Sequence, residues 1–255
     1  MAGQPRSLRY EYECYVEAEI ENYKDSIPRS AILRIGDEAV ALIRESEQVG
    51  FGELLLCTEV DRIIRKRLRL PSYASWRRRR LKLLEAWRRP EHWGIAPDAP
   101  LVQAIPADAE AHVLLLGTRE EGTTLYLAAN GCQVTTVEDD QDVVDRVMLT
   151  ASQVGLSGRV HGQVTDLGSW YPDAPLHAVV SSPAAFERLS FEERHRVIEI
   201  LKSATLDGGV HLVRTIAAAG RPAIDLDELR HSYSGWDIAI VEQGMSLLAR
   251  KSVAA

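Results

Sequence analysis

The chain has 255 residues, of which 45% are hydrophobic and 26% charged, and a formal net charge of −7. This is ordinary globular composition, enough for one large domain or for a domain with a smaller companion. No apolar run is long enough to span a bilayer, and the first residues, MAGQPRSLRYEYECYVEAEIE, are too polar for a secretory signal. Cys14, Cys57 and Cys132 form no Cys-x-x-Cys pair and the histidines are dispersed, which argues against a disulfide framework and against a metal site. A cytoplasmic protein without membrane segments is expected.

From the start to about Trp93 the apolar spacing is helical. Ser7 to Ser26 places Tyr12, Tyr15, Val16, Ile20 and Tyr23 among acids. Pro28 marks a helix start, and Ala31, Ile32, Ile35, Ala39, Leu42 and Ile43 follow at helical intervals. A turn is expected at Gly50-Phe51-Gly52, then a third helix through Leu54, Val60, Ile63, Ile64 and Leu68, ended by Pro71. Ser72 to Arg89 reads as a fourth helix that Pro90 stops. Residues 1–93 are therefore predicted to be an all-helical N-terminal domain, and 94–104 (Gly94-Ile-Ala-Pro-Asp-Ala-Pro100 onward) a linker.

After the linker, over residues 105–255, strand-length apolar runs alternate with helical stretches. Strands are expected at His112–Leu116, Gln133–Val137, Arg159–Val164, Ala178–Ser181 and Val210–Ile216. Helices are expected at Thr123–Asn130, Gln141–Val154, Phe191–Ala204 and Asp227–Tyr233. Such alternation implies a doubly wound, mostly parallel sheet. The last two strands, Trp236–Val241 and Ser246–Arg250, are separated by Glu242-Gln-Gly-Met245 alone, which is too short for a helical crossover and predicts an antiparallel hairpin. The expected fold class is thus α/β: seven strands with a terminal antiparallel hairpin, plus the helical domain.

Over about residues 105–252 the order of these motifs resembles the class I S-adenosylmethionine-dependent methyltransferases. Val113-Leu-Leu-Leu-Gly117-Thr118 resembles the family's first strand and glycine turn, which cradles the methionine part of S-adenosylmethionine. Arg119 and Glu121 stand where the family has further glycines, with Gly122 as a shifted substitute. The second strand ends Val137-Glu138-Asp139-Asp140, and Glu138 falls on the family's ribose-binding acid. Asp139 is a neighbouring candidate. Either of these acids, or Asp140, could instead cap the next helix. The resemblance places Asp166 at the adenine amino group, although an Asx turn would explain it equally well. It places Ser181 at the fourth-strand loop, and that loop, Ser181-Ser-Pro-Ala184, is not the Asn-Pro-Pro-Tyr of amino-methylating nucleic-acid enzymes. Thr205-Leu-Asp-Gly208-Gly209 resembles the family's turn into strand five.

The resemblance implies methyl transfer to an unidentified acceptor, with a small molecule favoured over RNA. No catalytic residue is assigned: His177 lies at the start of its strand, and Glu187 and His195 are no better placed. Between Arg62 and Arg89 stand twelve Lys or Arg against the single acid Glu85. This block, with Trp76, Trp87 and Trp93 nearby, suits phosphate contacts and base stacking. An interface with acidic helices, within one chain or across a homodimer, is the favoured reading, because the whole protein is acidic. The second class of function is therefore a catalytically inactive methyltransferase-like protein that binds nucleic acid or a protein partner. A nucleotide-binding oxidoreductase is disfavoured by the hairpin and the missing Gly-x-Gly-x-x-Gly.

Overall fold

The computed structural model describes residues 7–45, 52–105, 111–216 and 224–253. Gly50 and Phe51 of the expected turn lie outside these. Contacts divide the chain into two compact units, Met1–Leu83 and Leu84–Ala255.

In the first unit, α1 (Leu8–Ser26), α2 (Arg29–Glu45) and α3 (Gly52–Arg67) precede α4 (Tyr73–Trp87), whose last turn belongs to the second unit. The Ser7 side chain caps α1 by accepting from the Tyr10 amide. Ile35 and Ala39, one helical turn apart, are fully buried and pack with Ile20, Ile63 and Ile64. Tyr12 is buried, donates its hydroxyl to the Pro71 carbonyl at 2.8 Å and packs against Tyr73 and Trp76. That contact ties α1 to the start of α4.

The second unit contains α5 (Pro100–Ala104), β1 (His112–Leu116), α6 (Glu121–Ala129), β2 (Gln133–Glu138), α7 (Gln141–Gln153), β3 (Val160–Val164) and β4 (Leu176–Ser181). It continues through α8 (Phe191–Ala204), β5 (Thr205–Arg214), α9 (Leu226–Ser232), β6 (Asp237–Val241) and β7 (Ser246–Arg250). The sheet has seven strands in the order β3-β2-β1-β4-β5-β7-β6. All neighbours from β3 to β5 are parallel, and β7 alone runs antiparallel to both of its neighbours. The α/β expectation and the terminal hairpin therefore hold. Val113 and Leu115 join the cluster that includes Leu125 and Val147, whereas Leu114 and Leu116 join Val197 and Leu201. This is the period-two alternation of a strand covered by helices on both faces.

Three boundaries differ from expectation. The division falls at Leu83/Leu84 rather than Trp93, because Trp93 packs against the sheet core and donates its indole N–H to the Trp87 carbonyl at 2.6 Å. The segment 94–104 is not all linker: α5 buries Leu101 in that same core. Finally, β5 begins at Thr205, since its ladder with β4 jumps from Leu176–Thr205 to Ala178–Val210, and the Gly208-Gly209 turn sits inside the strand as an irregularity. Among the described residues no helix is long and apolar enough to cross a membrane, and no group of three or more His, Cys, Asp or Glu could hold a metal ion.

Candidate functional site

The strand order reverses between β1 and β4. In an open α/β sheet the carboxyl ends of the strands at such a point leave a crevice, because the crossovers on either side lead to opposite faces. Gly117, Glu138 and Ser181 all stand at this edge, the latter two as the last residues of β2 and β4.

Glu138 is 2% exposed. Its Oε1 accepts from the Thr118 hydroxyl, the Arg119 amide and the Thr136 hydroxyl, each at 3.3 Å. Thr136 reaches it because residues two apart share one face of a strand. Its Oε2 is buried without a hydrogen-bond partner among the described residues, as is the Ser181 hydroxyl. Burial raises the pKa of Glu138 above the ordinary carboxylate value, against the lowering effect of those hydrogen bonds. A buried carboxylate with one crowded oxygen and one unsatisfied oxygen is costly, and such a group is expected to have a hydrogen-bond donor to receive.

The helix-cap alternative is settled by Asp140, whose side chain accepts from the Asp142 amide at 2.9 Å and caps α7. Asp139 instead lies between two guanidiniums, 2.8 Å from Arg188 and 3.7 Å from Arg119. Asp166 is exposed and accepts from the Gly168 amide at 3.1 Å, the geometry of an Asx turn.

Gly117 has φ +58°, a conformation that favours glycine. A Cβ there would stand 2.7 Å from the Ala185 backbone nitrogen. The loop after β4 is therefore packed on this turn, and the Ser182 hydroxyl donates to the Gly117 carbonyl. Gly122 is no substitute cofactor glycine: a Cβ there would meet the Trp93 carbonyl at 2.5 Å, so helix–chain packing explains it. Arg119 (φ +50°) and Glu121 do not fill the turn. Arg119 reaches Asp139, and Glu121 pairs with Arg146 at 2.7 Å and accepts from Thr150 at 2.8 Å.

His177 is remote from this edge. Its Nδ1 accepts from the His112 amide at 3.1 Å, at the amino ends of β4 and β1. Sequence reasoning missed Arg188, Ser182 and Thr136. Only Thr136 carried a readable signal, its place two residues before the candidate acid.

No protein-family model matches the chain, and no curated protein matches its sequence. Among solved structures it is similar to TehB from Haemophilus influenzae, at 20% identity and a TM-score of 0.48, covering 60% of this chain and 61% of TehB. It is similar to the glycopeptide N-methyltransferase MtfA in complex with S-adenosylmethionine, at 16% identity and a TM-score of 0.45, covering 57% and 88%. It is also similar to the [4+2]-cyclase SpnF, at 19% identity and a TM-score of 0.48, covering 60% and 80%. The chain thus spans less than two thirds of TehB. Matches of this strength carry nothing about substrate or reaction, and one fold hosts many chemistries. The fold is fixed by the sheet itself: with its reversal at β1/β4 and β7 alone antiparallel, this is a class I methyltransferase fold.

Proposed function

We propose that the sheet unit binds S-adenosylmethionine at the carboxyl ends of β1, β2 and β4 and transfers its methyl group to an acceptor, a small molecule in the first instance. The observation that carries this reading is the unsatisfied, buried Oε2 of Glu138 at the switch point. A ribose hydroxyl is a donor of the kind that oxygen lacks. Gly117 and Thr118 would line the turn beside it, Ser181 would offer its unpartnered hydroxyl, and Asp139 and Asp166 would border the adenine end. When bound, the cofactor supplies a methyl already activated on a sulfonium, so the protein's part is alignment and, for O or N nucleophiles, removal of a proton. Glu138 acts as an acceptor that positions; no base is assigned.

A second reading is favoured by one contact. The Ala185 backbone packed against Gly117 explains that glycine without any ligand, as in a methyltransferase-fold protein that no longer transfers methyl groups. Isothermal titration with S-adenosylmethionine and S-adenosylhomocysteine separates the two. Saturable binding that weakens about tenfold or more in Glu138→Ala supports the first, that being the scale of a hydrogen bond to a charged group. No heat with either ligand supports the second.

A further inference from the structure

The fold uses only part of the basic block. In the first unit, Arg80 on α4 pairs with Glu11 on α1 at 3.2 Å, Arg67 pairs with Glu38, Arg62 pairs with Glu59 and Arg65 donates to the Tyr12 hydroxyl. The Arg80, Arg67 and Arg65 contacts bind helices to one another, Arg62–Glu59 lies within α3, and together the four account for a third of the twelve basic residues by intramolecular pairing. Arg77, Arg78 and Lys82 on α4 are exposed and make no ion pair among the described residues, and the same holds for Lys66 and Arg69 at the end of α3.

Helical geometry separates the two sets. Arg80 lies on the side of α4 that carries Tyr73 and Trp76, whose rings pack against Tyr12. At about 100° per residue, Arg78 and Lys82 fall on the far side one turn apart, roughly 6 Å between Cβ atoms, and Arg77 stands on the flank between them and Tyr73. Over its whole length α4 holds four arginines and one lysine against Glu85 alone. Concentrating unpaired cations on one helix costs stability through self-repulsion, more so when the rest of an acidic chain could have supplied partners.

We propose that this exposed face of α4 binds the phosphodiester backbone of a nucleic acid. Arginine predominates, and its planar fork matches phosphate oxygens in pairs, which a lysine point charge does not. A membrane surface fits less well. A helix that lies in a lipid interface keeps a broad apolar face for the acyl chains. On α4 the Tyr73 and Trp76 rings are committed to the cluster with Tyr12 and Tyr15, leaving Leu81 and Leu83 as the exposed large apolar side chains. Trp76 is held in that cluster, so recognition rests on backbone charge and carries little sequence preference.

The test uses the full chain and the fluorescence anisotropy of labelled single-stranded RNA and duplex DNA 20-mers, titrated across salt, with vesicles of mixed phosphatidylserine and phosphatidylcholine as a third arm. The expected result is salt-dependent binding to nucleic acid. The triple reversal Arg77→Glu, Arg78→Glu, Lys82→Glu should weaken binding more than about tenfold and reduce the logarithmic salt slope on single strands by about two. Arg77→Lys with Arg78→Lys, which cannot disturb an exposed surface, should keep that slope. Arg230→Glu, on the sheet unit, should leave affinity within about twofold. No salt-dependent binding to either nucleic acid, an unchanged affinity in the triple reversal, or binding to vesicles without binding to nucleic acid would each overturn the proposal. None of these outcomes depends on whether S-adenosylmethionine binds.

Discussion

Arg188, on the loop after β4, holds the carboxylate of Asp139, on the loop after β2, at 2.8 Å. In the sheet β2 and β4 flank β1, so this ion pair bridges the end of the central strand and ties together two rims of the crevice. Arg119, from the β1 loop between them, joins the same carboxylate at 3.7 Å. The Arg188 side chain is 79% exposed, so the pair contributes little to overall stability. Arg188→Ala is expected to change stability by less than about 0.5 kcal/mol while increasing amide hydrogen exchange across 183–189. Unchanged exchange in that loop would show that the pair does not hold it.

Gly117→Ala tests how firmly the β4 loop is seated. The new methyl meets backbone at 2.7 Å and also forces a positive φ on a residue with a Cβ. Backbone cannot swing aside as a side chain can, so a loss of about 2–4 kcal/mol in urea unfolding is expected. A loss below about 0.5 kcal/mol would mean that the loop yields easily, and would weaken the second functional reading.

Glu138 makes stability depend on pH in an unusual direction for an acid. Its folded pKa lies above the unfolded value, so between the two the folded state binds more protons. Its contribution therefore favours folding at low pH and is lost as pH rises through the folded pKa. Glu138→Gln should remove that dependence, so that parent and variant diverge as pH rises above about 4.5. Urea midpoints measured at several pH values decide this; parallel curves would refute it.

His211 acts in the opposite sense. It is fully buried, and burial, with Lys202 and Lys251 adding to it, lowers its pKa to about 3. Thr205 donates its hydroxyl to the Leu201 carbonyl at 2.6 Å, so the Thr205–His211 contact requires the ring Nε2 to carry the proton. Nδ1 is then left to accept from the Tyr233 hydroxyl at 2.7 Å. Because the folded pKa of this base is depressed, its contribution is present above about pH 6.5 and is lost as pH falls toward 3. Tyr233→Phe leaves a buried ring nitrogen without its donor and should cost about 1–3 kcal/mol. His211→Gln should flatten the fall in urea midpoint between about pH 7 and about pH 5; a fall as steep as the parent's would rule out His211 as its source.

The fold was largely legible because its signals are local. β1 and β7 match their expected limits, since apolar runs bounded by turn residues define a strand without reference to neighbours. The antiparallel pairing of the last two strands was legible from their four intervening residues, too few for a helical crossover, whereas the order of the other strands is not written in any local pattern. Glu138 could be singled out as an acid ending an apolar strand, yet its three donors and its orphaned oxygen depend on side-chain directions that no spacing encodes. The Arg188–Asp139 pair joins positions far apart in the chain, and Gly122 looked like part of a turn although the Trp93 carbonyl is what requires it. Trp87 and Trp93 read as available for stacking, but Trp87 is buried and Trp93 packs on the sheet core.

The placing of β7 between β5 and β6 has a consequence for biosynthesis. As the polypeptide leaves the ribosome, β6 emerges before the strand to which it hydrogen-bonds, and the free edge of β5 has no cover until Ser246–Arg250 follows. Open strand edges recruit other chains. The nascent protein is therefore most exposed to misassembly in the interval before β7 emerges, when the parallel part of the sheet is already complete.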